Sequence, residues 1–372
     1  MECTPPERAI RLWGPLLKPP FYKLWSVALE FMAAKAPIIR PQVSILMPFK
    51  NTSAYLEECL TSITDQNFET WELLAVDDHS SDSSLAILTE WAAHDSRIRV
   101  YPNQGRGIIP ALKTAYAHSR GRLITRMDSD DRMAQGRLGE MAGQLEASGP
   151  GHIALGLVKY FSNRGISDGY ARYERWLNRL TIEGSNFNEI YKECVIPSPC
   201  WMVHRQDLDA CGAFAPERYP EDYDLCFRFY AGGLTCLPSS RLLHYWRDYD
   251  ERTSRTSEHY AQNYFLDLKI DYFLELDRDA SRPLVLWGAG YKGKHLARHL
   301  VDKGVHFHWL CDNPKKIGKT IYGVRLSHFQ VLKKMKAPQS LITVANEVSQ
   351  EEIRRFLTGR NQFSEKDAFF FC

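Results

Sequence analysis

The chain has 372 residues, 44% of them hydrophobic and 25% charged, with a formal net charge of +2. That is ordinary globular usage with room for two domains. The balanced charge excludes a dominant nucleic-acid-binding field, and no long single-sign run forms a charged tail. Nine scattered cysteines include no C-x-x-C pair, which excludes a zinc knuckle or thioredoxin-type site and fits reduced thiols in the cytosol.

Residues 1–41 read as an N-terminal extension. Residues 21–39 look apolar but carry Lys23, Glu30 and Lys35, too many charges for a spanning helix of about 20 residues. They also lack the cleavage site of a signal peptide. Arg8, Arg11, Lys18 and Lys23, mixed with Leu12, Trp13, Leu16, Leu17, Phe21 and Trp25, would suit a membrane-surface helix. The simpler expectation is a packing arm, broken at Pro19-Pro20.

From residue 42, short apolar runs alternate with helical periods. Strands are expected at 43–47, 72–76, 97–101 and 122–126, with helices at 54–64, 82–93 and 108–119. Such alternation predicts an α/β fold with a parallel sheet and right-handed crossovers, and ligands at the carboxyl ends of its strands. After residue 150 the alternation loosens: a strand at 152–160, a polar, aromatic-rich stretch to 192, and a helical connector near 260–276. A second alternating unit starts at residue 283. The expected domains are 1–41, 42–258, 259–281 as connector, and 282–372.

Acidic residues gather just past the strands: Asp77-Asp78, then Asp128-Ser129-Asp130-Asp131. Clustered carboxylates repel unless a cation offsets them, and hard oxygen donors select Mg2+ or Mn2+. Singly, such residues also form turns and helix caps, and Asp131 could cap a following helix. Glu221-Asp222 and Asp224 precede an apolar run, as expected of acids in a first helical turn.

Taken in order, Pro48-Phe-Lys-Asn51, Val76-Asp-Asp-His-Ser-Ser-Asp82, Met127-Asp-Ser-Asp-Asp131 and Glu221-Asp-Tyr-Asp-Leu225 resemble the motif series of family-two inverting glycosyltransferases with the GT-A fold, over residues 42–250. The resemblance implies roles for the matching positions. Asp78 would contact the nucleotide base, in a pocket that includes Pro48. Asp128 and Asp130, with Asp131 as substitute, would hold Mn2+ or Mg2+ and the donor diphosphate. Asp222 would be the general base, with Glu221 beside it. Arg106 is a candidate partner for donor phosphate; His244, Arg247, Arg252 and Arg255 stand open between phosphate contact and packing or solvated roles. Trp201, Tyr219 and Tyr223 could form an acceptor platform, though core packing is the simpler reading. The implied donor is a UDP-sugar and the acceptor a glycan, a lipid-linked precursor or a protein. The implied location is the cytoplasm, with peripheral membrane contact left open.

Near the end, residues 284–287 read as a strand leading into Gly288-Ala-Gly290-Tyr-Lys-Gly293, a helix to 303, and a strand at 305–310 ending at Asp312. This is the strand–turn–helix setting of a dinucleotide fingerprint, with an acid about 20 residues on. It resembles small Rossmann-like domains appended to bacterial sugar-modifying enzymes, and a structural or nucleotide-sensing module is expected there. The alternatives are a nicotinamide-dependent sugar-modifying enzyme, for which no hydride-transfer pair accompanies the glycines, and a non-catalytic nucleotide-sugar binder.

Overall fold

The computed structural model describes residues 40–372 apart from 251, 253–261, 363 and 365. The expectations for the N-terminal extension and for Arg255 therefore lie outside the described residues.

The chain first lays down β1 (Val43–Phe49), α1 (Ser53–Thr64), β2 (Trp71–Asp77), α2 (Ser84–His94), β3 (Ile98–Pro102), α3 (Ile108–His118) and β4 (Leu123–Arg126). These strands pair in parallel in the order β3-β2-β1-β4. Alternate residues fill opposite faces. Leu46, Leu74 and Val76 join one core, while Ile45, Met47, Leu73 and Ala75 join the other, against α1. Burial on both faces is why these strands read as unbroken apolar runs.

Next come β5 (Arg132–Met133), α4 (Arg137–Ser148), β6 (His152–Leu155), β7 (Leu157–Phe161), α5 (Asp168–Glu183), β8 (Trp201–His204), α6 (Arg205–Ala210), α7 (Glu221–Ala231), β9 (Thr235–Cys236) and β10 (Leu242–Arg247). β8, β6 and β9 extend the first sheet to seven strands, with β8 antiparallel to β4 and β6; β5, β10 and β7 form a separate three-stranded sheet. The single strand expected at 152–160 is thus two strands in two sheets. Gly156 is the hinge: a Cβ there would lie 2.4 Å from Leu243 Cβ, so only glycine lets the two segments pass β10 this closely.

After α8 (Gln262–Tyr272) follow β11 (Leu284–Trp287), α9 (Tyr291–Asp302), β12 (His308–Cys311), β13 (Thr320–Ile321), β14 (Val324–His328), β15 (Gln339–Ile342), α10 (Glu347–Thr358) and β16 (Ala368–Phe370). Its parallel strands run β14-β12-β11-β15-β16, an open doubly wound order whose direction reverses beside β11. Gly293 is needed there for packing, since a Cβ on it would sit 2.2 Å from the Gly288 carbonyl oxygen.

This sheet shares a core with the first. Phe273 is fully buried against Tyr191 and Phe369, and Tyr191 stacks on Phe371 at 5.4 Å. Tyr191 and Tyr230 both donate to Asp277, at 2.5 and 2.9 Å. Each fully buried phenylalanine of this kind contributes about 1.5–3 kcal/mol.

Candidate active site

The carboxyl ends of β1, β2, β3 and β4 open on one edge. Asp78 N donates to Phe49 O, Asn103 N to Asp77 O, and Met127 N to Leu46 O, each at 2.9–3.0 Å. Pro48, near the end of β1, and the loops carrying Asp78, Arg106 and Asp128 therefore rim a common cleft.

Asp78 is buried, and its carboxylate is held from three directions. It accepts from Asn103 Nδ2 at 2.6 Å and Gly107 N at 2.8 Å, and pairs with Lys50 Nζ at 3.3 Å. Gly107 can present its amide there because its φ is +91°, in the region that favours glycine. Arg106, one residue earlier, is exposed at the rim. Asp77 and Asp82 follow the turn-and-cap reading. Asp77 Oδ1 accepts from Ser80 N, and Asp82 accepts from Ser84 N and Ser53 N, tying the α2 entry to α1. Slight desolvation works against the Asp82 charge, but these bonds win and hold its carboxyl down at about 2.

The three aspartates after β4 divide. Asp131 is fully buried and does not cap a helix: Oδ2 accepts from His244 Nε2 at 2.9 Å and Oδ1 from Arg247 N at 2.8 Å. His244 in turn receives Arg137 Nη1 at Nδ1, at 3.0 Å. Arginine can only donate, so Nδ1 is the acceptor and Nε2 carries the proton toward Asp131. Burial and the Arg137 charge push the His244 pKa well below normal, so the ring is neutral. His244 and Arg247 are thus interior braces. Arg247 also donates through Nε to Asp130 O at 2.7 Å, pairs with Glu58, and stacks over Tyr55 and Phe161.

Asp128 and Asp130 keep some exposure. Asp130 accepts from Tyr249 OH at 2.8 Å; burial, with Asp131 and Asp128 beside it, pushes its pKa up to about 7. Arg252, left open between phosphate contact and a solvated face, is buried over Trp246. Burial disfavours its charge, but Asp131 and Asp130 more than offset that and raise its pKa. Among the described residues, no three acidic, histidine or cysteine side chains form a ready metal cage. Two hard carboxylates facing a cleft nonetheless suit an ion of the Mg2+ type. Such an ion needs only one or two protein carboxylates, with substrate phosphates supplying the rest.

Asp222 lies in the first turn of α7, where the helix dipole favours acids. It is half-buried, and its Oδ1 accepts from Tyr223 N at 2.8 Å. Burial, then the neighbouring Glu221 charge, pushes its pKa up to about 7, while Arg126 works in the opposite direction. A carboxyl poised near neutrality can take a proton at working pH.

Sequence reasoning missed Arg126. Buried at the end of β4, it meets Asp128 Oδ1 through Nε at 3.0 Å and Nη2 at 2.9 Å, and Glu221 Oε1 through Nη1 at 3.1 Å. A charged residue closing an otherwise apolar strand was the available signal. Trp201 and Tyr223, weighed as an acceptor platform, are core residues at 2% and 0% exposure. Only Tyr219 of that trio keeps partial exposure, with its hydroxyl beside Gly107. The glycine turn and Asp312 sit apart from this cleft's strands, at the carboxyl ends of β11 and β12. Gly290 has open space above it, and Lys316 Nζ donates to Ala289 O at 2.9 Å. Among the described residues no helix is long and apolar enough to cross a membrane.

Residues 44–212 match the family model described as Glycosyl transferase family 2. The chain is 38% identical over 191 residues to the UDP-Glc:alpha-D-GlcNAc-diphosphoundecaprenol beta-1,3-glucosyltransferase WfgD of Escherichia coli, covering 49% of this chain and 67% of that one. It is 30% identical over 124 residues to the uncharacterized glycosyltransferase EpsJ of Bacillus subtilis (strain 168), covering 33% of this chain and 36% of that one. Two further Bacillus subtilis relatives are likewise spanned over only 39% and 40% of their length. Among solved structures, S. aureus TarS 1-349 in complex with UDP-GlcNAc is similar with a TM-score of 0.50 and 18% identity, covering 70% of this chain and 71% of that chain. At that identity the likeness concerns the fold.

Proposed function

The chain belongs to glycosyl transferase family 2, and on that premise we propose that it transfers a sugar, with inversion, from a nucleoside-diphosphate donor to an acceptor hydroxyl. The observation that carries this reading is the joining of two half-sites. Asp222, with its carboxyl raised toward neutrality, is linked through Glu221 and Arg126 to Asp128 on the strand-end cleft. Asp78, held by Asn103, Gly107 and Lys50, receives the nucleotide base, with Pro48 in the same pocket and Arg106 at its rim.

Asp128 and Asp130 would hold Mn2+ or Mg2+; Asp131 supports them from behind. When bound, the ion supplies charge neutralisation for the departing diphosphate. Asp222 accepts the proton of the acceptor hydroxyl as its oxygen bonds to the anomeric carbon and the bond to the diphosphate breaks. One base, with the other strand-end acids assigned to the metal and the nucleotide, favours inversion. WfgD is named for a UDP-Glc donor and a lipid-diphosphate acceptor. That name supports a UDP-sugar donor and a lipid-linked or glycan acceptor; surface-polysaccharide synthesis, with peripheral contact at the inner face of the membrane, completes the proposal.

The test is calorimetric titration with uridine, guanosine and thymidine diphosphates, with and without Mn2+. Metal-dependent binding of one nucleotide, lost in Asp130→Ala, is expected. Binding of none of them, with clear binding of a nicotinamide dinucleotide, would transfer the function to the glycine turn at Gly288, Gly290, Gly293 and Asp312.

A further inference from the structure

We propose that Arg126 is the positioning residue that couples the two half-sites, its guanidinium fixing Asp128 on the donor side while steadying Glu221 and the charge of the adjoining Asp222 on the acceptor side. This inference rests on the reading of Asp222 as the base.

The geometry is that of a fork closed on two carboxylates. Nε and Nη2 converge on Asp128 Oδ1 at 3.0 and 2.9 Å, and Nη1 reaches Glu221 Oε1 at 3.1 Å. The Arg126 and Glu221 side chains are only 7% and 6% exposed, and Asp128 20%, so little water screens the three charges. A lysine would offer a point charge to one carboxylate at a time; the rigid arginine plane holds both. The residue is pinned at its backbone as well. It pairs with Leu46 across β1 and β4, and its carbonyl accepts from Arg137 Nη2 at 3.0 Å. The fork therefore has a fixed base from which to set the distance between β4 and the first turn of α7.

The charges around Asp222 give the fork a second task. Its own helix presents Glu221 and the Tyr223 amide. The end of β4 presents Arg126 and Asp128. Tyr173 faces it from α5, and Cys194 from the segment before β8. Arg126 is the cation in that set. Without it, Asp222 would lose the positive charge that works against Glu221 and Asp128, and its ionised form would be disfavoured further. An arginine serving only as a structural clasp would leave the proton affinity of Asp222 alone.

The acid limb of the kcat/KM profile separates these roles. In Arg126→Gln the midpoint of that limb should rise by about one pH unit, because the positive charge that favours ionised Asp222 has been removed. Arg126→Lys, which keeps the charge, should bring it most of the way back while kcat stays reduced. Nucleotide binding followed in parallel reports that the cleft remains formed. An unmoved midpoint in a folded Arg126→Gln protein, or equal shifts in both variants, would overturn the proposal. If Arg126→Gln does not fold, Glu221→Gln replaces it. That change removes the negative neighbour and frees Arg126 for Asp222, so the limb should fall, and a limb that stays or rises overturns the idea. A wild-type protein that transfers sugar from no donor at any pH would instead sink the glycosyltransferase reading itself.

Discussion

Replacing Asp222 by asparagine should remove catalysis and stabilise the fold in the same step. The side chain is nearly isosteric and its Oδ1 can still accept from Tyr223 N, so the first turn of α7 should persist. Loss of the base removes a contribution of about 10²–10⁴ in rate. Nucleotide binding should survive, because Asp78, Asp128 and Asp130 lie on other elements. The stability gain follows from the Asp222 carboxyl being raised from 3.8 to about 7. Between those values the native chain holds a proton that the unfolded chain has released, so wild-type stability falls as pH rises through that window. A shift of about three units corresponds to a ceiling of about 4 kcal/mol at 1.36 kcal/mol per unit. Partial solvent access reduces the expected gain to about 1–2 kcal/mol. Denaturant unfolding at pH 8 should therefore show a higher midpoint for Asp222→Asn, and near pH 4 the two proteins should coincide. A variant whose rate falls by less than about 10²-fold, or one less stable than wild type at pH 8, would refute the reasoning.

The wild-type kcat/KM should fall as pH drops below about 7, because Asp222 must be ionised to accept a proton; a profile flat down to pH 5 would contradict its role. Asp130→Ala should lose the Mn2+-dependent part of nucleotide affinity in a titration, leaving a weak metal-independent remainder. Arg137→Met strands His244 Nδ1 and the carbonyls of Arg126 and Pro199. By chemical denaturation it should cost about 3–5 kcal/mol, as expected for removing one partner of a buried charged network. Gly293→Val drives a side chain into the Gly288 carbonyl, and should lower the melting temperature of the whole protein rather than of a detached tail. Two separate calorimetric transitions would speak against the shared core.

The first sheet was legible because β1 and β2 are buried on both faces, so their apolar runs stand out against polar loops. The strand-end acids were legible as well, although a single sequence could not divide their tasks. Asp131 looks like its neighbours until His244 and Arg247, over a hundred residues away, are seen to occupy both of its oxygens. The split between β6 and β7 was hidden because hydrophobicity continues through Gly156, and only the approach of Leu243 explains the break. Helix α5 was missed for a different reason. Its residues are mostly polar, and its buried side is carried by Leu177, Leu180 and Thr181. The spacing of Tyr170, Tyr173, Leu177 and Leu180 was a readable helical signal. Arg126 needed its partner Glu221, 95 positions on, before its meaning could be seen.

The stacking of Tyr191 on Phe371, with Phe369 and Phe273 around it, also has a bearing on synthesis. Tyr191 leaves the ribosome 180 residues ahead of its partner. At about 5–20 residues per second, its half of the pocket therefore waits roughly ten to forty seconds before it can close. During that interval Tyr191 and Phe273 are without their final cover. The nascent chain would then present an aromatic surface to chaperones until residues 369–371 have emerged.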